Sequence, residues 1–134
     1  MIINTHSKEK QLNNLSGQVI GAAIKVHSAL GSGTLKSAYE ACLAYELKQR
    51  RIHIESQVAL PIIYDGEKID AGYRIDLLVE NSLIVELKAV EMINNIHKTQ
   101  LLSYLKLSDL RLGLLINFNV PGLKEYIHRI VNKF

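Results

Sequence analysis

Two alternating runs separated by three residues constrain this chain more than anything else in it. They are Tyr73-Arg74-Ile75-Asp76-Leu77-Leu78-Val79 and Leu83-Ile84-Val85-Glu86-Leu87-Lys88. Alternation with a period of two marks a strand, because successive side chains leave a strand on opposite faces. In the second run Leu83, Val85 and Leu87 point one way while Ile84, Glu86 and Lys88 point the other. In the first, Ile75, Leu77 and Val79 share a face opposite Arg74, Asp76 and Leu78. A turn at Glu80-Asn81-Ser82 pairs Val79 with Leu83, Leu77 with Val85, and Asp76 with Glu86. A two-residue turn would put the two acids on opposite faces. The longer turn also stacks apolar on apolar, and is the register expected. Adjacent carboxylates repel unless a cation lies between them, so this register predicts a metal. Glu-x-Lys by itself describes an ordinary solvated strand face equally well.

The rest of the chain supports a single domain spanning 1–134. With 48% hydrophobic and 22% charged residues, 134 residues can bury one core and are not disordered. A net charge of +3 permits a polyanionic partner without requiring one. The single cysteine, Cys42, lies in an apolar helical pattern, cannot form an internal disulfide and suits a reducing cytoplasm. The N-terminal stretch from Met1 has no apolar leader segment, and no run reaches membrane-spanning length.

Helical spacing runs through Leu12, Leu15, Val19, Ala22, Ala23, Val26 and Leu30 and stops at Gly31-Ser32-Gly33. A second helix is expected from about Leu35 to Arg50, with Leu35, Tyr39, Cys42 and Glu46 along one stripe. Val58 to Tyr64 reads as a strand at an edge or bulged at Pro61, Asp65-Gly66 as a turn, and Lys68 to Ala71 as its return. After the acidic hairpin come a helix from about Asn94 to Leu107, a buried strand from Arg111 to Ile116, a loop, and a last helix from Leu123 to Asn132. The expected architecture is α/β, a mixed sheet flanked by helices in the order α-α-β-β-β-α-β-α. On the penultimate helix, His97, Gln100 and Tyr104 share a face. Gln100 and Tyr104 are suited to hold a water, a carboxylate or a phosphate, although a polar helix face is also simply a solvated one.

The order Asp76, Glu86-Leu87-Lys88, Gln100-x-x-x-Tyr104 resembles the PD-(D/E)XK nuclease superfamily, and within it the small bacterial GxxExxY family. The likeness extends from about Leu15 to Phe134. It is carried by Tyr73 through Glu80, Ile84 through Val90, His97-x-x-Gln-Leu-Leu-x-Tyr-Leu105 and Gly113-Leu-Leu-Ile-Asn-Phe118. The resemblance implies a restriction-endonuclease-like core and a metal-dependent nuclease or related phosphodiesterase acting on nucleic acid, with DNA the expected polymer. It implies that Asp76, Glu86 and the Leu87 carbonyl hold Mg²⁺ or Mn²⁺, hard ions suited to oxygen ligands. Lys88 would orient the attacking water or stabilise charge on the phosphate, with Gln100 and Tyr104 as supporting residues. Nucleases of this kind often act as homodimers, but no patch in the sequence marks such an interface.

The chain departs from the family's name motif at one position. Gly33-Thr34-Leu35-Lys36-Ser37-Ala38-Tyr39 carries lysine where the motif has glutamate. Glu40, one turn on, is a candidate substitute, and Lys36 is a candidate phosphate contact. A third reading is that the site is idle. A fourth is a surface pair of Lys36 with Glu40, worth roughly 0.3–0.5 kcal/mol. Other candidates are weaker. The five histidines have no metal-ligand spacing, so zinc is not expected. Gly31-Ser32-Gly33 reads as a helix break. Lys124, His128, Arg129 and Lys133 would line one face of the last helix, as a phosphate stripe or a solvated face. Without tryptophan or interleaved aromatics, a stacking platform for single strands has no support.

Overall fold

The computed structural model describes residues 5–133. Met1–Asn4, part of the stretch read as leaderless, and Phe134, the end of the family likeness, lie outside the described residues. Helix α1 (Thr5–Leu30) buries Leu12, Val19, Ala22, Ala23 and Val26 along one stripe, as the spacing predicts. It stops at Gly31, whose φ of 77° is one that L side chains rarely adopt. Helix α2 (Lys36–Gln49) packs across it, and its buried residues are Tyr39, Leu43, Ala44 and Leu47. This stripe is shifted from the expected one. Leu35 is 75% exposed, and Glu46 pairs with Lys25 rather than entering the core. The small Ala23 lets Tyr39 lie against α1, its hydroxyl donating to the Ala23 carbonyl at 2.9 Å while its ring stacks on Phe118 at 4.4 Å.

Five strands form the main sheet: β1 (Ile54–Ala59), β4 (Arg74–Val79), β5 (Leu83–Lys88), β6 (Leu112–Asn117) and β7 (Ile127–Val131), side by side in the order β1-β4-β5-β6-β7. Only the β5–β6 pairing is parallel, bridged by helix α3 (Asn95–Ser108). Strands β2 (Ile62–Tyr64) and β3 (Glu67–Ile69) form a separate hairpin. The expected single strand from Val58 to Tyr64 is thus two. Pro61 cannot donate a ladder hydrogen bond, and the chain breaks there, leaving β1 on the sheet edge.

The core has two layers. On one face Leu77, Val79, Leu83, Val85, Leu87, Leu112, Leu114 and Ile116 pack against α1 and α2. On the other Ile84 and Leu115 meet Leu101, Tyr104 and Leu105 of α3. Cys42 is half-buried against the first layer. Gly113 lets α3 settle on the sheet, since a Cβ there would lie 2.9 Å from Leu101 Cδ1 and 3.0 Å from its Cγ.

The expected last helix does not form. Lys124–Tyr126 make one 3₁₀ turn, and β7 then pairs antiparallel with β6 from Ile127↔Ile116 to Val131↔Leu112. The apolar residues of this segment are Ile127, Ile130 and Val131, β-branched residues that suit a strand, and an unpaired β6 edge is available to receive them. Strand periodicity dissolves the basic stripe. Ile127 joins the α1/α2 layer and Ile130 the α3 layer, and burial together with Lys98 holds the His128 imidazole below its usual range. Among the described residues no helix is long and apolar enough to cross a membrane.

Candidate active site

The acidic hairpin has the expected register, Val79 opposite Leu83 and Leu77 opposite Val85, around a turn in which Glu80 and Asn81 both take positive φ. Beyond Leu77–Val85, however, the β4–β5 ladder stops. Asp76 and Glu86 do not face each other as a ladder pair; their side chains replace the ladder. The Asp76 N–H donates to Glu86 Oε2 at 3.0 Å, and the Leu87 N–H donates to Asp76 Oδ2 at 2.9 Å. Each carboxylate thus satisfies a main-chain donor that the parting strands leave open.

Strand β1 is irregular at the same level. Ser56 pairs with Leu77 and Val58 with Ile75, but the pairing skips Gln57 and Asp76, and Gln57 has a φ of 53°. The strands change facing across this point. Ile75 packs with the α3 layer, not with Leu77 and Val79 as strict alternation requires, while Val58 follows Ile75 although Ile54 belongs to the opposite layer. A glutamine in the left-handed region is uncommon and costs on the order of 1–2 kcal/mol, and such conformations gather at functional sites. Here the strained residue bridges two acids. Gln57 Nε2 donates to Glu40 Oε1 at 2.9 Å and to Asp76 Oδ1 at 3.2 Å. Nothing in strand periodicity distinguishes Gln57, and the sequence reading missed it.

Helix α2 brings both disputed residues to the site. Lys36 extends its ammonium to 3.1 Å from Asp76 Oδ2, so it pairs with the buried acid and not with Glu40. Glu40 reaches Asp76 through Gln57. Its pKa is raised, first by partial burial and then by the Asp76 charge.

Asp76 and Glu86 are each only 5% exposed. Burial raises Glu86, the adjacent Asp76 raises it further, and together they push it up to about 8. Burial would also raise Asp76, but a hydrogen bond from Glu86, the Leu87 N–H and Lys36 outweigh it and hold Asp76 below the usual range. The two acids therefore retain a proton between them near neutral pH. That is the signature of a buried negative pair short of one cation.

The remaining site residues come from the sheet end and α3. Lys88 is half-buried and lowers Glu86 without an ion pair of its own among the described residues. Asn117, which pairs with it across β5–β6, is 1% exposed and clamps Val90 through both main-chain groups, fixing the segment after Lys88. Tyr104 is buried beside Tyr73, ring centroids 5.5 Å apart, and burial followed by the Glu86 charge raises its pKa. Gln100 is exposed and shares with Tyr104, Tyr73, Ile96, Thr99 and Ser103 a groove of about 370 Å³. His97 keeps its place on the α3 face of Gln100 and Tyr104, but its ring serves the start of the helix. Its Nδ1 accepts from the Asn94 N–H at 3.1 Å, completing a capping box on α3.

No three His, Cys, Asp or Glu side chains among the described residues are placed to hold a metal. The donor set is instead two carboxylates and the main chain. In an extended strand a residue's N–H and C=O face the same neighbour, so the Leu87 carbonyl lies on the Asp76 side, past the end of the β4 ladder. Two carboxylates, one of them paired with Lys36 and the other holding a proton, together with a main-chain carbonyl are oxygen donors of the kind a hard divalent cation takes.

The sequence model of the PD-(D/E)XK nuclease superfamily matches residues 13–130. No curated protein and no solved structure matches the chain. The family match covers every element that builds the site, from α2 to β6, and the mixed five-stranded sheet with flanking helices agrees with it. The chain belongs to the PD-(D/E)XK nuclease superfamily.

Proposed function

We propose that this protein is a divalent-metal-dependent nuclease acting on nucleic acid, with DNA as its polymer, and that it belongs to the GxxExxY branch of its superfamily. The observation that carries this reading is the buried Asp76/Glu86 pair, short of a cation, at the point where β4 and β5 part. Asp76, Glu86 and the Leu87 carbonyl are the residues to hold Mg²⁺ or Mn²⁺. When bound, the ion supplies Lewis-acid polarisation of the phosphate and a more acidic water.

The chain's own groups do the rest. Lys88 presents a positive charge beside Glu86, where it orients the attacking water and offsets charge building on the phosphoryl oxygens. Gln57 holds Asp76 Oδ1 and keeps Glu40 within reach of the site. Gln100 and Tyr104 line the groove beside the acids and position substrate along it. A cytoplasmic location and a homodimer complete the reading.

The Lys36–Asp76 ion pair favours a second reading, a catalytically silent module that keeps the fold for nucleic-acid or protein binding. Cleavage separates the two. Supercoiled plasmid should be cut by the wild type with Mg²⁺ or Mn²⁺ and spared in EDTA. Asp76→Ala and Glu86→Ala should each abolish both cutting and Mn²⁺ binding. Equal cutting by wild type and Asp76→Ala would sink the assignment, and no cutting on single-stranded or duplex DNA or RNA would leave the silent module.

A further inference from the structure

The Asp76 carboxylate is nearly fully subscribed. Besides the hydrogen bond it shares with Glu86, it accepts from the Leu87 N–H, the Gln57 amide and the Lys36 ammonium, against the roughly four acceptor positions a carboxylate offers. They differ in how readily they leave. The Leu87 donor belongs to the backbone of a buried strand, and Gln57 is held from its other side by Glu40. Lys36 is held only by the charge it meets. Its side chain is 44% exposed against 7% for Asp76, and a four-carbon stem lets it swing into solvent.

The position of Lys36 on its own helix points the same way. It opens α2, at the helix end where the macrodipole disfavours a cation, and the first turn carries no acid to offset it. Leu35, the N-cap, supplies no side-chain cap. The helix itself offers this lysine only the Glu40 charge one turn on; among the described residues its one ion pair is with the buried acid.

We infer that Lys36 is a tethered cation that occupies Asp76 in the metal-free protein and leaves when a divalent ion binds. Metal uptake at this site is then an exchange of one ammonium for one ion. The inference rests on the metal-dependent reading above and adds to it an internal competitor that sets the concentration of metal required. In the metal-free protein the same contact stabilises the fold by neutralising part of the buried charge.

The test is calorimetric titration of Mn²⁺ into wild type, Lys36→Gln and Asp76→Ala, with thermal melts of each in EDTA. Lys36→Gln should bind Mn²⁺ at least about tenfold more tightly than wild type, as removal of a unit charge at this distance implies. It should also melt below wild type in EDTA and gain more from added Mn²⁺. Lys36→Met, which keeps the aliphatic stem, repeats the neutralisation if glutamine impairs folding, and Lys36→Arg should retain the weaker wild-type affinity. Unchanged or weaker Mn²⁺ affinity in both neutral variants overturns the exchange. If Asp76→Ala still abolishes wild-type binding, the metal-dependent reading survives that result. Absence of binding in wild type and neutral variants alike overturns both.

Discussion

In EDTA the wild-type protein is expected to lose stability as pH rises from about 5 to 8, whereas Glu86→Gln should lose most of that dependence. The sign follows from linkage. Glu86 ordinarily titrates at 4.5 but is pushed up to about 8 in the folded state by burial and then by Asp76. Between those values the folded protein holds a proton that the unfolded chain has released, so stability falls with pH through that window and levels off above it. Asp76 acts in the opposite sense. Its folded value lies below its ordinary 3.8, so its contribution is lost only as pH falls through the more acid range. The Glu86 side chain is nearly sealed from water, and a shift of this size corresponds to a few kcal/mol, roughly 3 after allowance for the proton shared with Asp76. Added Mn²⁺ should flatten the wild-type profile, because a bound cation replaces the proton. A flat wild-type profile in EDTA would show that Glu86 is not held protonated.

Gly113→Val should be the most damaging single change away from the site. Gly113 is the second residue of β6, buried, with Leu101 of α3 directly above it. Even one added carbon would meet Leu101 at Cδ1, Cδ2 and Cγ, between 2.9 and 3.0 Å. Contact with Cγ matters, because rotating the leucine's methyl groups about χ2 cannot relieve it; the buried Leu101 must change its χ1 rotamer or the helix must move. Overpacking of this kind costs about 1–3 kcal/mol for small insertions, and valine adds three carbons, so the upper end is expected. In thermal denaturation that is a fall of roughly 8–15 °C for a domain of this size. Gly113→Ala should show the lower end, and pairing it with Leu101→Ala should recover part of the loss. Strict additivity of the two changes would show that the close approach does not govern this helix.

What the sequence revealed, it revealed where one period held. The alternation of Leu83 to Lys88 placed Glu86 and Lys88 correctly, and apolar-on-apolar pairing selected the turn at Glu80–Ser82. The spacing of Leu12, Val19, Ala22 and Val26 gave α1 its buried face. Alternation failed where the chain departs from regular strand. Ile75 lies on the unexpected side because Gln57 and Asp76 are skipped in the ladder, and no residue count reveals a φ of 53° at a glutamine. The C-terminal segment failed for a different reason. Lys124, His128 and Arg129 fit helical spacing, but the free edge of β6 decided between helix and strand, and that edge exists only once the sheet has formed. Lys36 and Glu40 were singled out as residues, yet their partners were out of reach. Spacing of four suggests a pair on one helix, whereas both turn towards an acid some forty residues away in sequence.

Most hairpins are zipped by peptide groups alone, and their opening is indifferent to what binds nearby. At the mouth of this one the last fastenings between β4 and β5 are the two carboxylates, each holding the other strand's amide. Fraying and ligation therefore draw on the same oxygen atoms. The Leu87 amide proton serves as a natural reporter: its exchange with solvent deuterium follows the fate of Asp76, linking strand breathing to the ionic state of the cleft.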